Sequence, residues 1–400
     1  MRLTIYGGSF DPFHLGHLRI LQAAIAKKLV QQIIVIPLGL APHKQNVPAA
    51  ASYRLEMVKR AVRDLPEVSV SDYEIKRSGK RSYTSDTIDH FKQRFARQGQ
   101  KLHLSLLYGS DVLFTIESWH KPAYIMQEAE LLVAVRGNCN LTEIEKQANY
   151  LRERYGARIT IFNMEPTEIS SSQLREYLRE DSEKYQSFVP EVVADFLQKH
   201  RPYRHLDIVS ELSLEQRLYL AKLEQKLRKL MNTKRLLHSL NVMHYALYLA
   251  KLHQVTLMPV AVAALVHDCA KQMPLKKQLK LAKRAGATQL LDKNIAHGPA
   301  GAYYVKKFWG IRNKQVLDAI FYHTTGKPHM GMLEKIIFLA DKLEYGRTYK
   351  DLTRLRALAE TDLDLAMREC LLEIEEAMKL KHLKIHPLSI VTREYLDKLQ

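Results

Sequence analysis

The chain has 400 residues, which is long for a single hydrophobic core and sufficient for two domains of roughly 200 residues each. Its 61 lysine and arginine residues outnumber its 43 aspartate and glutamate residues, but they are scattered rather than gathered in a basic run interleaved with aromatic residues. We therefore expect no nucleic-acid partner, and small phosphate-rich substrates explain the formal net charge of +18 equally well. The three cysteines are widely spaced and odd in number, which excludes a disulfide framework and predicts free thiols in a reducing cytoplasm.

The pattern of a secreted or membrane protein is also missing from the sequence. The amino terminus enters a strand without a basic region followed by an apolar one, which argues against a secretion signal. The longest apolar stretch, 255–266, is shorter than the roughly 18 residues that a membrane-spanning helix needs. The basic stretch 271–284 predicts a solvated amphipathic helix, and the helix predicted after Pro387 would pack within the fold or support a homo-oligomer. We expect a cytoplasmic protein without a membrane partner.

Six strand-like runs alternate with helical periodicity through the first half of the chain. Such alternation is typical of a parallel sheet with helices on both faces, so we predict a Rossmann-like α/β domain. Ligands of such sheets bind at the carboxyl ends of the strands. The six runs are 3–6, 33–36, 68–71, 102–107, 131–135 and 159–162.

The second half is predicted to be helical throughout. A helical segment near residue 200 is broken at Pro202, and Ser213 is a candidate cap for the next helix. We therefore predict an α/β domain at 1–203, a linker at 204–213 and an all-α domain at 214–400.

The first strand leads into a glycine turn that is followed by two histidines. This segment reads Gly7-Gly8-Ser9-Phe10-Asp11-Pro12-Phe13-His14-Leu15-Gly16-His17. The glycines allow the backbone to approach a ligand closely, and the free N–H groups at a helix start attract anions. The two histidines share one face of that helix. The complete segment predicts a site for a nucleotide triphosphate, although either histidine alone would more often be a packing or surface residue.

Further segments of the first half complete a pattern that resembles a known family. They are Pro42-His43-Lys44, Ser82-Tyr83-Thr84-Ser85-Asp86-Thr87, Gly109-Ser110-Asp111, Trp119 and Ile169-Ser170-Ser171-Ser172-Gln173-Leu174-Arg175. With the first segment they resemble the nicotinate mononucleotide adenylyltransferases, whose first motif is a glycine pair, an Asp-Pro and a His-x-Gly-His. The resemblance covers about the first half of the chain. It implies transfer of an adenylyl group from ATP to nicotinate mononucleotide, which gives deamido-NAD and pyrophosphate.

The resemblance implies a role for each of these residues. Adenylyl transfer needs positioning and charge neutralisation rather than a protein nucleophile, and Mg²⁺ would arrive bound to ATP. Thr84 and Trp119 would hold the nicotinate ring, and Asp111 would face the ribose or metal-linked groups. The residues implied to bind phosphate are His14, His17, Lys44, Arg175, Ser170 and Ser171. Those implied to contact the rest of the substrates are Gly7, Gly8, Ser9, Phe10, Thr84, Gly109, Asp111, Trp119, Arg136 and Ile169.

Simpler interpretations stay open for several of these residues. They are a core aromatic for Trp119, a solvated charge for Lys44, an ion pair of Arg175 with Glu176 or Glu180, and an ordinary helix cap for residues 170–172.

The chain departs from the family at two places. It reads Leu40-Ala41 where Asn-Pro is usual, and Arg136-Gly137-Asn138 where Arg-Pro-Gly is usual. The acceptor therefore stays open between nicotinate mononucleotide, its amide and another phosphate acceptor.

In the second half, histidines and acidic residues follow an order typical of a metal site. His267 and Asp268 follow the apolar run 259–266, and Asp341 follows the apolar run 336–340. Such polar side chains are costly to bury unless a cation or hydrogen bonds satisfy them. Imidazoles and carboxylates suit iron, manganese and similar cations, and helices can bring distant ligands to one cavity. The predicted metal ligands are His238, His267, Asp268, His297, His323 and Asp341.

The segments around these ligands resemble the HD superfamily of metal-dependent phosphohydrolases. They look like the bacterial subgroup that hydrolyses diadenosine tetraphosphate symmetrically to two ADP, which implies two metal ions, with iron expected and Mn²⁺ as the alternative. The segments are Leu265-Val266-His267-Asp268-Cys269-Ala270-Lys271, His297-Gly298, His323-Thr324-Thr325-Gly326 and Leu339-Ala340-Asp341-Lys342-Leu343-Glu344.

Two such cations, roughly 3.5–4 Å apart, would bridge a hydroxide through Asp268 and orient a phosphoanhydride for in-line attack, so Asp268 is expected to take part in catalysis. One ion would be completed by His238, His267 and Asp341, and the other by His297 and His323. Lys271 and Arg347 are the nearest cations that would neutralise the tetraphosphate, and each would otherwise be an exposed charge. The subgroup often has a proline near the position of Glu344, where this chain reads Tyr345-Gly346-Arg347.

The leading hypothesis is therefore a bifunctional enzyme. The alternatives for the HD half are a different nucleotide phosphohydrolase and a non-catalytic regulatory module. Because each ligand set is complete within its own half, cutting the chain near Arg204 is predicted to leave both activities measurable.

Overall fold

The computed structural model describes residues 1–39, 48–77, 82–137, 140–165, 169–349 and 351–399 of the protein. They form two compact units, Met1–Gln198 and Lys199–Gln400. The first contains a parallel sheet with helices, and the second is built of helices. The predicted fold class, α/β followed by all-α, is confirmed.

The first unit contains a six-stranded parallel sheet whose strand order reverses between its first and fourth strands. Its strands are Arg2–Gly8 (β1), Ile33–Pro37 (β2), Val68–Val70 (β3), His103–Gly109 (β4), Ala129–Arg136 (β5) and Ile159–Met164 (β6). They lie in the order β3-β2-β1-β4-β5-β6, and every pair is parallel. The chain builds β2 and β3 on one side of β1 and then returns to add β4 on the other side. A crevice for ligands forms at the carboxyl ends of the strands at such a reversal.

The central strands are apolar on both faces because helices cover both sides of the sheet. In β5, Leu131 and Val133 are buried on one face of the sheet, and Leu132 and Ala134 are buried on the other. The helices of this unit are Leu15–Ala26 (α1), Ala51–Ala61 (α2), Tyr73–Lys76 (α3), Thr84–Ala96 (α4), Val112–Thr115 (α5), Pro122–Glu128 (α6), Leu141–Tyr155 (α7), Ser171–Arg179 (α8) and Glu191–His200 (α9), with 3-10 turns at Ile116–Ser118 and Glu183–Phe188. The last residues of α9 already belong to the second unit.

The second unit is built of helices that pack around two largely buried ones, Thr233–Leu252 and Leu257–Val266. Its helices are Leu206–Ser210 (α10), Leu214–Leu227 (α11), Thr233–Leu252 (α12), Leu257–Val266 (α13), Leu275–Arg284 (α14), His297–Trp309 (α15), Lys314–Tyr322 (α16), Met332–Leu343 (α17), Leu352–Thr361 (α18), Leu363–Leu380 (α19) and Pro387–Asp397 (α20). The helix α12 packs against α13 and α17, and α13 also packs against α16. Residues 260–266 of α13 are all buried, which is why this helix is apolar on every side.

The segment predicted as a linker is part of the second unit. Within 204–213, the helix α10 packs against α12, and its residues Leu206 and Ile208 are buried. Ser213 caps α11, as its Oγ accepts a hydrogen bond from the Gln216 N–H at 3.2 Å. A helix of five residues is too short to show helical periodicity in a sequence, so only its packing reveals it. That 1–203 and 214–400 fold independently stays a prediction.

The basic helix α14 has the amphipathic form that its sequence predicts. The lysines of α14 are exposed while Leu281 and Ala282 are buried, as predicted for a solvated amphipathic face. The helix α20 packs against α19 through residues that include Leu396. Among the described residues, no helix combines the length and the apolar character that crossing a membrane requires. Cys269 and Cys370 are buried free thiols.

His244 allows a test of how the second unit responds to acid. Its imidazole lies in the buried part of α12, and burial lowers its pKa to about 4. An unfolded histidine has a pKa of about 6.5, so the unfolded chain takes up this proton first as the pH falls. The free energy of unfolding should therefore fall by about 1.4 kcal/mol per pH unit for this group as the pH drops from about 6.5 to 4.

We expect His244→Gln to lose this contribution. Hydrogen exchange of the α12 amides, compared between variant and wild type at each pH, measures the opening free energy of the second unit. The variant should show a shallower pH dependence than the wild type. Equal slopes would contradict a buried, neutral His244.

Candidate active sites

The turn after β1 is a fixed and buried structure. Phe10 has a φ of 48°, in the left-handed region that residues other than glycine rarely adopt, and it is 1% exposed. Its ring centroid lies 5.3 Å from that of Tyr6 and 5.6 Å from that of Phe13. A Cβ at Gly8 would lie 2.9 Å from the Phe10 ring, so packing requires glycine there. The backbone of this turn is therefore shaped by the core beneath it.

His14 and His17 begin α1 and accept hydrogen bonds from the backbone. His14 Nδ1 accepts from the Gly16 N–H at 3.1 Å, and His17 Nδ1 accepts from the His14 N–H at 3.2 Å. Their ring centroids are 3.8 Å apart. Because each Nδ1 is an acceptor, each neutral ring carries its proton on Nε2. The pair can thus offer two N–H donors to phosphate oxygens beside the amino end of α1.

Arg54 contacts this turn through a buried guanidinium, and no sequence motif indicates it. The residue is 2% exposed, and its guanidinium donates to three backbone carbonyl oxygens. These are the oxygens of Ala49 at 3.0 Å, Ser9 at 2.8 Å and Gly39 at 3.1 Å. An arginine in a helical segment normally lies at the surface, so nothing in the local pattern indicates this role.

Arg175 reaches the same turn from α8. Its Nη1 donates to the backbone oxygen of Asp11 at 2.7 Å and lies 3.8 Å from Asp11 Oδ2. Its Nη2 donates to Ser172 Oγ at 3.0 Å. The structure therefore brings Arg175 to the first motif, from which it is distant in sequence.

The serines that precede Arg175 form the start of α8. Ser170 Oγ accepts from the Gln173 N–H at 3.2 Å, and the Gln173 side chain accepts from the Ser170 N–H at 3.1 Å. The Ser170 hydroxyl thus makes the helix cap of the simpler interpretation. Ile169 is buried, and Ser171 is the first residue of the helix.

Three predicted residues meet around Tyr108 near the carboxyl end of β4. The Thr84 side chain hydrogen-bonds to the Tyr108 hydroxyl, and burial raises the pKa of Tyr108 above its usual value. The Trp119 ring packs edge-on against the Tyr108 ring, with centroids 5.4 Å apart. A Cβ at Gly7 would lie 3.4 Å from the same hydroxyl. Tyr108 is absent from the predicted site because a tyrosine in an apolar strand indicates a core position.

Gly109 and Asp111 follow Tyr108 at the crevice. Asp111 is exposed and directly precedes α5. A Cβ at Gly109 would lie 2.9 Å from Asp111 Oδ1, so the absence of a side chain at 109 makes room for this carboxylate.

Some predicted positions lie outside the described residues. They are Pro42, His43 and Lys44, together with Leu40, Ala41, Asn138 and Cys139. Arg136 ends β5, and its side chain also lies outside the description. Their roles stay predictions.

Five helices of the second unit bring the predicted metal ligands together. The ligand atoms form two groups that share Asp268, and within each group all ligand atoms lie within 4.8 Å of one another. The first group is His238, His267 and Asp268, and the second is Asp268, His297 and His323. Asp341 adjoins the first group, since its Oδ1 lies 3.0 Å from His238 Nε2 and 3.7 Å from His267 Nε2.

The two carboxylate oxygens of Asp268 face different groups. Oδ1 lies 3.3 Å from His297 Nε2 and 3.7 Å from His323 Nε2. Oδ2 lies 3.5 Å from His267 Nε2 and 3.9 Å from His238 Nε2. Each carboxylate oxygen of Asp268 therefore faces a different ligand group.

His267 and His323 each present an unprotonated Nε2 to this space. His267 Nδ1 lies 2.7 Å from the Ala264 carbonyl oxygen, and His323 Nδ1 lies 2.7 Å from that of Ile320. Each carbonyl requires the proton on Nδ1, which leaves Nε2 with a lone pair. His267 Nε2 is buried and has no hydrogen-bond partner within the described residues. The donor set therefore fits metal ions.

The charge states of these residues also suit a metal site. Burial opposes ionisation, but neighbouring imidazoles hold the pKa of Asp268 well below its usual range. Lys342 and neighbouring imidazoles do the same for the pKa of Asp341, again against the effect of burial. Burial lowers the pKa of His297 to about 4, and it lowers the pKa of His323 as well. At neutral pH the acids are therefore ionised and these two histidines are neutral, as metal ligands must be.

Glu344 and Arg235 contact the ligands, and neither is a predicted site residue. Glu344 Oε1 lies 3.1 Å from His238 Nδ1, and Arg235 Nη1 donates to Asp268 Oδ2 at 2.7 Å. Burial lowers the pKa of His238, but its hydrogen bonds with Asp341 and Glu344 outweigh this effect and raise that pKa to about 9. The spacing was a usable signal, since Arg235 precedes His238 by three residues and Glu344 follows Asp341 by three.

Lys271 and Arg347 lie at the same site. Lys271 Nζ is 3.2 Å from His297 Nδ1, and burial lowers the pKa of Lys271. Arg347 Nη2 donates to Asp341 Oδ1 at 2.9 Å. Both predicted cations are therefore close to the ligands, within reach of a phosphate bound there.

Two family models match this chain, the cytidylyltransferase-like model over residues 5–177 and the HD domain model over residues 235–346. A Mycoplasma pneumoniae protein named "Probable nicotinate-nucleotide adenylyltransferase/Ap4A hydrolase" is 29% identical, covering 94% of this chain and 99% of its own. A Clostridium beijerinckii protein named "Probable nicotinate-nucleotide adenylyltransferase" is 35% identical, covering 51% of this chain and 99% of its own. The crystal structure of a "predicted HD superfamily hydrolase involved in NAD metabolism" from Clostridium acetobutylicum is 35% identical over 45% of this chain and 97% of its own, with a TM-score of 0.43.

Replacing Arg54 by methionine tests whether its hydrogen bonds to backbone carbonyl oxygens stabilise the first unit. The variant leaves buried carbonyl oxygens without donors, so we expect the free energy of unfolding of the first unit to fall by about 2–4 kcal/mol. Urea unfolding followed at Trp119, in a Trp309→Phe background, measures it. The matched control is Arg63→Met, since Arg63 is exposed and pairs only with exposed Asp64 among its described contacts. Equal effects of the two substitutions would contradict the role of Arg54.

Proposed function

Since the chain belongs to the nicotinate-nucleotide adenylyltransferase family and matches the HD domain in its second half, we propose that it is a bifunctional enzyme of nucleotide metabolism. The first activity is adenylyl transfer from ATP to nicotinate mononucleotide. The second is hydrolysis of diadenosine tetraphosphate to two ADP at a dinuclear metal site. The observation that carries this pairing is the Mycoplasma pneumoniae relative, whose name joins both activities and whose similarity extends over 94% of this chain.

In adenylyl transfer, the phosphate of the mononucleotide forms a bond to the α-phosphorus of ATP. The bond from that phosphorus to the bridging oxygen breaks, and pyrophosphate leaves. Negative charge builds on the triphosphate oxygens, and the two Nε2–H donors of His14 and His17 would stabilise it. Arg175 and the amino end of α1 add positive charge at the same place. Mg²⁺ would enter with ATP as part of the substrate.

The acceptor would be held near the carboxyl end of β4. Thr84, Tyr108 and Trp119 form a contiguous set near the end of β4. A pyridine ring would stack on the indole of Trp119, and its carboxylate would take hydrogen bonds from neighbouring hydroxyl and backbone donors. Asp111 would face the ribose. Lys44 and Arg136 stay in the proposal as further phosphate and substrate contacts.

In the second unit, a pair of metal ions held by the two ligand groups would supply the positive charge that activates water and neutralises phosphate oxygens. Asp268 belongs to both ligand groups and would contribute a carboxylate oxygen to each ion. Lys271 and Arg347 would bind the outer phosphates of the substrate. We propose iron for this site, with manganese as the alternative, because imidazole nitrogens and carboxylate oxygens suit both.

The adenylyltransferase activity is tested by pyrophosphate release from ATP with each mononucleotide. We expect a higher kcat/KM with nicotinate mononucleotide than with its amide. His17→Asn keeps an acceptor for the His14 N–H and removes only the Nε2 donor, so it should lower kcat by about 10²–10³-fold. Hydrolysis by the second unit of the same variant serves as the control. Equal or better turnover of the amide would overturn the proposed acceptor.

The hydrolase activity is tested with metal-loaded full-length protein and diadenosine tetraphosphate. Two ADP are the expected products, whereas AMP and ATP would contradict symmetrical cleavage. Asp268→Asn should lose both ions and the hydrolysis, because both groups share this residue. His297→Ala should lose one ion, and adenylyl transfer should persist in each variant. Unchanged hydrolysis by a His267→Ala, Asp268→Ala double variant would rule out this site.

A further inference from the structure

A chain of buried hydrogen bonds leads away from the metal ligand His238. His238 Nδ1 lies 3.1 Å from Glu344 Oε1, and the other oxygen of this carboxylate accepts from Asn241 Nδ2 at 2.8 Å. The amide of Asn241 also contacts His200, whose Nδ1 lies 3.1 Å from Asn241 Nδ2 and 3.3 Å from its Oδ1. Glu344 and Asn241 are 3% and 2% exposed, so both need these partners.

Glu344 orients His238 without being one of its metal-binding neighbours. A carboxylate accepts only from a protonated Nδ1, so this contact leaves Nε2 as the ligand atom. That Nε2 lies 3.0 Å from Asp341 Oδ1, on the side of the first ligand group. Without Glu344, the imidazole of His238 would be free to turn away from the group.

The position of Glu344 is in turn fixed by packing. Its Oε2 also accepts from the Gly346 N–H at 2.5 Å. A Cβ at Gly346 would lie 2.8 Å from Asn241 Nδ2 and 2.9 Å from Glu344 Oε2, so only glycine lets the amide and the carboxylate meet there. Gly346, in the segment Tyr345-Gly346-Arg347 that departs from the subgroup pattern, therefore leaves the space in which Asn241 and Glu344 meet.

Residues 200–205, which we call the junction segment, contact both Asn241 and Tyr345, the residue after Glu344. His200 is the last residue of α9 and contacts Asn241. His205 Nε2 lies 2.6 Å from the hydroxyl of Tyr345. The His205 ring also stacks on Tyr248 of α12, with centroids 4.2 Å apart and planes at 11°. The junction segment thus touches the helix that carries His238 and the residue beside its partner Glu344.

We propose that His200 and Asn241 are positioning residues for the metal centre and that they act on His238 through Glu344. The junction segment is then part of the metal site, although it precedes the predicted hydrolase domain at 214–400. The inference rests on the proposed metal site and is independent of which nucleotide the enzyme hydrolyses. It also implies that a cut near Arg204 would weaken metal binding, because it separates His200 from Asn241, whereas the sequence led us to expect that both activities survive this cut.

The test measures Mn²⁺ affinity of the full-length protein by isothermal titration, with the absorption spectrum of bound Co²⁺ as a second readout. His200→Phe keeps a flat ring and removes its nitrogens, and Asn241→Leu removes the amide. Loss of the direct hydrogen-bond partner of a metal-binding histidine typically costs 10–100-fold in metal affinity. Asn241 acts on His238 through that partner, Glu344, and His200 acts through Asn241, so we expect Mn²⁺ binding to weaken by about tenfold in Asn241→Leu and by about threefold in His200→Phe. A shifted Co²⁺ spectrum should accompany it.

Two further variants make the result specific. His200→Asn places a polar atom near the position of Nδ1 and should restore affinity close to the wild-type value. Lys199→Ala alters the exposed neighbouring residue and should leave affinity unchanged. Adenylyl transfer and thermal unfolding of each variant check that both units are folded.

Wild-type Mn²⁺ affinity in folded His200→Phe would overturn the inference, as would equal weakening in His200→Phe and His200→Asn. A wild-type protein that binds Mn²⁺ but does not hydrolyse diadenosine tetraphosphate would refute the proposed substrate and leave this inference standing. A wild-type protein that binds neither Mn²⁺ nor Co²⁺ would refute both.

Discussion

The buried negative charge of Asp268 is the constraint around which the second unit is arranged. A carboxylate that is 3% exposed is stable only when cations or hydrogen bonds compensate it. Imidazoles from four separate helices or helix ends surround it, and Arg235 donates to it directly. The helix α13 is apolar on every side, and the helices α12, α15, α16 and α17 each bury an apolar face, so packing of these faces brings the ligand-bearing positions into one place. Packing and metal binding therefore depend on the same convergence.

In the first unit, the negative charge at the proposed nucleotide site would come from the nucleotide substrates, whereas in the second unit it comes from the buried carboxylate of Asp268. Its crevice accordingly offers donors: the Nε2–H groups of His14 and His17 and the amino end of α1. The Nδ1 atoms of both histidines accept hydrogen bonds from backbone N–H groups, which orients the two rings. Arg54 and Arg175 both bind carbonyl oxygens of the turn, and Phe10 fills the space beneath it. The shape of the turn is thus determined before any nucleotide binds.

Residues with a visible local signal were predicted, and residues whose partners are distant in sequence were not. His267 and Asp341 stand out because each follows a buried apolar run, where an unpaired polar side chain would be costly. Arg54 shows no such signal, because two of its three carbonyl partners, those of Ser9 and Gly39, lie 45 and 15 residues away in the sequence. Tyr108 likewise looks like a core residue until Thr84 and Trp119 are seen beside it. The short helix α10 was missed because five residues carry too little periodicity.

The sequence by itself determined the alternation of strands and helices, the order of the proposed metal ligands and the motifs of the proposed nucleotide site. These are local properties, since the period of apolar residues and the spacing of polar ones depend only on neighbouring positions. The tertiary structure alone decided that Asp268 lies between two ligand groups, that the strand order reverses between β1 and β4, and that His200 reaches Asn241. Each of these depends on how distant elements pack, and that packing is set by the whole buried surface and not by any one segment.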